Sequence, residues 1–339
     1  MSPEDETEST HDELTGQTIV VTGASSGFGR GAALELAARG AHVVVAARRG
    51  DALHALVAEI ETAGGSALAV AADVSRLEDV ERIAASAVER FGDIDVWVNN
   101  AGVGALGLFW EIPVADQERI IDVNLKSVLY GSHVALRRFT DRGRGVLVNV
   151  GSVDSEVPLA YQTVYAATKA AVLSLGRSLA EELRLAGLDD VKVATVMPYA
   201  IDTPWWTHAA NYTGHAPRMA MMDDPQLVID EIVKACAHPR TQMPVGPKAR
   251  GATATHRFLP GVTERLTGRL VEQEVERASA YPSGPGAIYE PMAGTLTVDG
   301  GIRARMRAED AATKAAKKAA KKADEAGTPA PEPAPDGSL

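Results

Sequence analysis

Between residues 18 and 196 the chain repeats one unit, a short Val-rich apolar run followed by a longer amphipathic stretch. The runs fall at 18–21, 42–46, 67–71, 95–98, 145–150 and 191–196, with helical patterns at 29–39, 52–63, 77–91 and 164–185. Little polar alternation interrupts the runs, which predicts strands buried on both faces of a parallel sheet. Parallel neighbours need crossover helices of one hand, so the chain should fold as α/β: a doubly wound, Rossmann-type parallel sheet of about seven strands with helices on both faces. Such sheets bind ligands beyond the carboxyl ends of their strands, so chemistry is sought at the strand–helix junctions.

Beyond residue 196 the rhythm changes. Residues 198–220 read as loop, 225–237 as a helix and 262–278 as another helical pattern. Two segments compete for the last strand: 241–245, at ordinary spacing after the 225–237 helix, and 294–298, which would leave a long insert; the first is favoured. The organisation expected is an acidic disordered tail over 1–13, a catalytic domain over 14–247 and an appendage over 248–307, near the substrate mouth or at a subunit contact. An Ala/Lys- and Pro-rich tail over 308–339 should be disordered or form a solvated helix. Six acids and no Lys or Arg in residues 1–13 account for more than half of the net charge of −11, so the folded body is closer to neutral. That balance argues against a large nucleic-acid footprint. With one cysteine, Cys236, the chain forms no internal disulfide. No apolar run reaches the length of a membrane span, and the acidic start lacks a secretion signal, so a cytoplasmic protein is expected. No cluster has metal-ligand spacing.

Five junctions carry candidate chemistry. Thr22-Gly23-Ala24-Ser25-Ser26-Gly27-Phe28-Gly29 follows the first strand and opens a helix. Its glycines allow a tight turn and close approach of a pyrophosphate to a helix N-terminus. After the second strand come Arg48 and Arg49, where an acid would repel a ribose 2′-phosphate; two guanidiniums favour NADP(H). Asp73 and Val74 follow the third strand, and Asn99-Asn100-Ala101-Gly102 follows the fourth, where the adenosine of a dinucleotide would lie. Ser152 ends the fifth strand, thirteen residues before Tyr165. Tyr165 and Lys169 lie four apart and share a helical face. An ammonium there would lower the tyrosine pKa from about 10 toward the range of a useful proton shuttle. Asn124 sits within an apolar helical stretch, where an amide needs a partner.

In this order and spacing the motifs resemble the short-chain dehydrogenase/reductase family of the simple, one-domain kind, over roughly residues 14–245. The resemblance implies that Tyr165 is the general acid/base, that Ser152 orients the substrate oxygen, and that Lys169 binds the nicotinamide ribose and lowers the tyrosine pKa. Asn124 would hold a relay water. Cofactor contacts would come from Gly23, Ser25, Ser26, Gly27, Phe28, Gly29, Arg48, Arg49, Asp73, Val74, Asn100, Ala101 and Gly102, together with Tyr165 and Lys169. Pro198, Ile201 and Thr203 would close over the nicotinamide, with Tyr199 standing where the family usually has Gly. A homodimer or homotetramer is implied. Pocket walls are expected from 103–110, 153–162 and 204–212, contributing Leu106, Leu108, Phe109, Trp110, Leu159, Trp205 and Trp206, an apolar set suited to a hydrophobic ketone or secondary alcohol. The alternative is a non-catalytic NADP(H)-binding regulatory or scaffold protein on the same fold.

Overall fold

The computed structural model of the chain describes residues 13–292 and 296–325. Its strands are β1 (Thr18–Thr22), β2 (His42–Ala47), β3 (Ser66–Ala71), β4 (Val96–Asn99), β5 (Ala105–Leu106), β6 (Gly145–Val150), β7 (Val191–Met197), β8 (Ala210–Asn211) and β9 (Met243–Pro244). Seven of them form one parallel sheet in the order β3-β2-β1-β4-β6-β7-β9, and β5 pairs with β8 in a separate ribbon. Pairing of Val196 with Met243 puts β9 at the sheet edge, so 241–245 is the segment that supplies the last strand. Of the competing segment, Leu296–Val298 is described and is not a strand; 293–295 lie outside the described residues.

The helices are α1 (Gly27–Ala38), α2 (Gly50–Thr62), α3 (Leu77–Phe91), α4 (Val114–Ile121), α5 (Ser127–Arg142), α6 (Thr163–Leu185), α7 (Trp205–His208), α8 (Gln226–Ala237), α9 (Gly246–Phe258), α10 (Pro260–Arg277) and α11 (Ile302–Glu325). Strand side chains alternate between two apolar layers. Val43, Val45, Val96 and Val98 meet Leu36 of α1, Leu53 and Leu56 of α2 and Ile232 of α8. Val44, Trp97 and Leu147 meet Ile83 of α3, Phe139 of α5 and Leu183 of α6 on the other face. Fully buried on both sides, these strands need no polar face, which is why their sequences are nearly all Val, Ala and Leu.

Chain order reverses between β1 and β4, where β1 leads outward to β2 and β3 on one side and the later strands lie on the other. The crevice outside the strand ends opens there. The C-terminal helices lie beyond it. Residues 308–325, grouped with the tail in the sequence reading, continue α11: Ala and Lys are strong helix formers, and Ile302 and Met306 anchor its first turns beside Val271 and Val275 of α10. Buried Arg218 ties these helices down through Glu274 (2.7 Å), Glu309 (2.9 Å) and Asp310 (2.7 Å). Among the described residues no helix is long and apolar enough to cross a membrane.

Candidate active site

At one end of the crevice the β1–α1 loop meets the β4 loop. Gly23 has φ +68°, and a Cβ there would stand 2.7 Å from the Ala101 Cα, so only glycine permits this turn against this neighbour. The Asn100 amide donates to the Thr22 carbonyl (2.8 Å), while the Thr22 hydroxyl accepts the backbone N–H groups of Asn100 (3.0 Å) and Ala101 (3.2 Å). The expected adenosine-side turn is therefore also the clasp between two strands. Gly27 and Phe28 open α1 and present its positive end to the crevice. Asp73 accepts from Arg119 (2.7 Å) and from Ser75 (2.7 Å), which hold its carboxyl below the ordinary aspartate range despite partial burial.

The C-terminal segment crosses this end, a contact with no signal in the sequence. Arg48 donates to the carbonyls of Ala287 (2.6 Å), Ile288 (3.2 Å) and Tyr289. Arg119 shares the Ile288 carbonyl (3.0 Å), and Tyr289 donates its hydroxyl to Asp116 (2.9 Å). Arg49 bonds the Ser25 hydroxyl (3.1 Å) and reaches the Met292 carbonyl at 3.4 Å. Further along, the Gly27 N–H donates to the Thr297 carbonyl (3.0 Å). Asp202 then accepts the amides of Ile302 (2.8 Å) and Arg303 (2.9 Å), and Gly300 lies so close to the Thr203 carbonyl that no side chain fits. We refer to this segment as the strap.

The other end gathers Ser152, Tyr165, Lys169 and Asn124. Ser152 caps a single 3-10 turn, Val153–Ser155: its hydroxyl accepts the Asp154 N–H (3.1 Å), and its own N–H donates to the Ser155 hydroxyl (3.2 Å). That reciprocal cap fixes the Ser152 side chain at the end of β6, beside the Tyr165 phenol. One turn along α6, the Lys169 ammonium lies 5.6 Å from the Tyr165 ring centre and donates to the Val150 carbonyl (2.8 Å). Trp205 packs on the opposite side of the tyrosine, 5.1 Å between ring centres. Asn124 lies in a π-helical turn, Asp122–Lys126, that separates α4 from α5. Such turns commonly mark functional sites. Its amide clamps both backbone groups of Val103 (2.8 and 2.9 Å) and donates to the Thr168 hydroxyl (3.2 Å).

The electrostatics depart from the sequence expectation. Burial pushes the Tyr165 phenol up, the nearby Asp154 carboxylate adds to the rise, and only the Ser152 hydrogen bond opposes it. Lys169 does not produce the expected lowering because it is itself buried, which brings it down to about 8 against the pull of Asp154. Asp154, pushed up to about 7 by burial and held back by Lys169, is the ionisable group that the sequence reading missed. It lines the cavity two residues after Ser152.

Some expected walls are displaced. Leu159, Trp205 and Trp206 line the cavity, as do Val153, Val157, Gln162 and Met219. Leu106, Leu108, Phe109 and Trp110 do not. Leu106 is taken up in a core beside Leu159 and Trp206, and Trp110 is 78% exposed. The ribbon of β5 with β8 turns this stretch away from the crevice. Tyr199, in place of the family's usual Gly, packs beside Val153, Val157 and Ala252 and lines the same cavity. The appendage contributes Ala252, Thr267, Ala287, Pro291 and Met292 to it.

One continuous cavity thus runs from Arg48 and Gly27 to Ser152 and Tyr165. Lys169 spends one of its three N–H groups on Val150, leaving two for hydroxyls in the crevice. A glycine turn, a helix N-terminus and a buried ammonium in this sequence fit a nicotinamide dinucleotide. The family profile described as short chain dehydrogenase matches residues 17–212. This chain is a short-chain dehydrogenase/reductase. The enzyme is 37% identical over 287 residues to YxnA, an uncharacterized oxidoreductase of Bacillus subtilis, covering 83% of this chain and 80% of that one. It is 39% identical over 196 residues to the 3beta-hydroxysteroid dehydrogenase 1 of Eggerthella lenta, covering 57% and 74% respectively. Among solved structures, it resembles a short chain dehydrogenase/reductase from Burkholderia phymatum in complex with NAD, with a TM-score of 0.66 and 26% identity, over 74% of this chain and 96% of that one. A metagenomic short-chain oxidoreductase in complex with NADP matches with a TM-score of 0.57 and 30% identity, over 68% and 97%. The enzyme is therefore an oxidoreductase of a family that works on CH–OH groups with nicotinamide cofactors.

Proposed function

We propose that this dehydrogenase uses NADP(H) to interconvert a ketone or aldehyde with an alcohol on a largely apolar substrate, with Tyr165 as general acid/base. The observation that carries the reading is the contact of the Ser152 hydroxyl with the Tyr165 phenol, inside the cavity that Lys169 also lines. When bound, the nicotinamide supplies or accepts the hydride. In the reducing direction Ser152 donates a hydrogen bond to the substrate oxygen and Tyr165 hands it the phenolic proton. Its raised pKa keeps the Tyr165 phenol protonated in the resting site. Lys169 directs its two remaining N–H groups at ribose hydroxyls. Asn124 stands behind Lys169, where a relay water would pass the proton onward.

NADP(H) is favoured over NAD(H) by Arg48 and Arg49 at the end of β2, in the absence of an acid there. The apolar substrate is inferred from Val153, Val157, Leu159, Trp205, Trp206 and Met219 around the reacting end. Tyr165→Phe tests the mechanism: turnover of a carbonyl panel, followed by nicotinamide absorbance, should fall by at least about a hundredfold while NADPH affinity stays within about twofold. Undiminished turnover in that variant removes Tyr165 from the chemistry.

A further inference from the structure

The α9–α10 hairpin ends in an apolar tip. Phe258 is 81% exposed, Leu266 67%, Val262 57% and Leu259 54%. Phe258 and Leu259 form the bend, and Val262 and Leu266 lie four apart on one face of α10, so all four gather at one end of the hairpin. Large side chains exposed together in this way mark a surface that meets something apolar.

Charge says what that is. In a chain of net charge −11, residues 250–270 carry Arg250, Arg257, Arg265 and Arg269 against a lone acid, Glu264. Several arginines elsewhere are matched, Arg39 with Glu35, Arg76 with Glu78, Arg82 with Asp79, Arg142 with Asp93 and Arg184 with Glu181, whereas exposed Arg90, Arg137, Arg144, Arg240 and Arg307 stand singly without an ion pair among the described residues. At the tip, Arg257, Arg265 and Arg269 have no ion pair among the described residues, and Arg250 reaches only the Pro244 carbonyl, at 3.4 Å. A basic ring around an apolar point is complementary to an anionic lipid surface, with guanidiniums at headgroup phosphates and apolar side chains below them. The same hairpin is a wall of the active-site cavity, through Ala252 of α9 and Thr267 of α10.

We propose that the α9–α10 tip docks the enzyme on an anionic bilayer and sets the cavity mouth beside it, so that an apolar substrate passes from lipid to active site. The delivery step rests on the apolar-substrate reading; the docking step does not.

Flotation of the full chain with vesicles tests docking without any substrate. Binding is expected to phosphatidylcholine vesicles containing phosphatidylglycerol, to weaken with added salt, and to be much weaker with phosphatidylcholine alone. Phe258→Asp/Leu266→Asp should lower it by at least about tenfold, since each removes a large exposed apolar group that docking would bury. Both side chains are exposed, so the NADPH-dependent reduction of a water-soluble carbonyl should be unchanged; loss of that reaction in the wild type would count against the proposed function and leave docking standing. Should the double Asp variant misfold, Arg257→Glu/Arg265→Glu keeps the apolar tip and should abolish the preference for phosphatidylglycerol. Three results overturn the proposal. Wild type is retained by neither vesicle; binding survives in both hairpin variants, which assigns it to the lysines of α11; or the Asp variant turns an oligomer into a monomer with vesicle binding unaltered, which makes the tip a contact between two copies of the chain.

Discussion

Replacing Asp154 by Asn removes an anion from beside Tyr165 and Lys169 while keeping its size. In the wild-type site that carboxyl titrates at about 7, so above neutrality it is mostly charged. Its charge raises both the Tyr165 phenol and the Lys169 ammonium. A unit charge some 6–8 Å away at an effective dielectric near 20 is worth about 2–3 kcal/mol. At about 1.4 kcal/mol per pKa unit, that corresponds to one to two pH units. The sign is the same for every neighbour, because loss of an anion makes each proton easier to release. Lys169 should therefore fall below its value of about 8, and Tyr165 should move back toward an ordinary phenol. The assay is the pH dependence of kcat/KM in the alcohol-oxidising direction, where the proposed mechanism requires Tyr165 to lose its proton before it can accept one. In Asp154→Asn the acid limb should shift to lower pH by about one to two units. An unmoved limb, or one displaced upward, would refute the electrostatic account of this site.

Arg48→Ala should weaken NADPH binding by about tenfold or more, the worth of a charge-assisted phosphate contact, and NADH binding far less. Equal losses, measured by fluorescence titration of both cofactors, would remove the 2′-phosphate role. Arg218→Met leaves buried Glu274 with only the exposed Arg277 guanidinium, at 3.3 Å, and leaves Glu309 and Asp310 unmatched by it, at a cost of up to about 3 kcal/mol. That loss should appear in hydrogen exchange as early opening of α10 and α11, with the sheet still protected; protection unchanged in both helices would mean that Arg218 does not hold them.

The sheet was legible because burial on both faces leaves a strong mark. Runs such as His-Val-Val-Val-Ala-Ala in β2 have no polar side to display. The last strand was harder: β9 is only Met243 and Pro244, and proline is tolerated there because it lies at an edge. Tyr165, Lys169, Ser152 and Asn124 were found because spacing along strand ends and helix turns carries over into space. Asp154 was not, since a polar residue after a strand reads as solvated loop, and only the 3-10 turn capped by Ser152 brings it into the cavity. The π turn at Asn124 is equally silent, because one extra residue per turn barely disturbs a helical pattern. Phe109 and Trp110 misled the pocket reading for the opposite reason: being aromatic indicates burial somewhere, whereas the β5–β8 pairing sends them outward.

The strap changes what it means for Arg48 to bind anything. An arginine on a surface is a long, mobile chain, and a ligand must freeze it, at about 0.5–1.5 kcal/mol for each such side chain. Here three carbonyls from residues 287–289 already hold the guanidinium in place. The ordering is done during folding, by chain some 240 residues away, and an arriving anion meets a donor set in advance. Affinity at the second strand is thereby written partly into residues 287–289, and a change to that stretch would be felt first in whatever Arg48 binds.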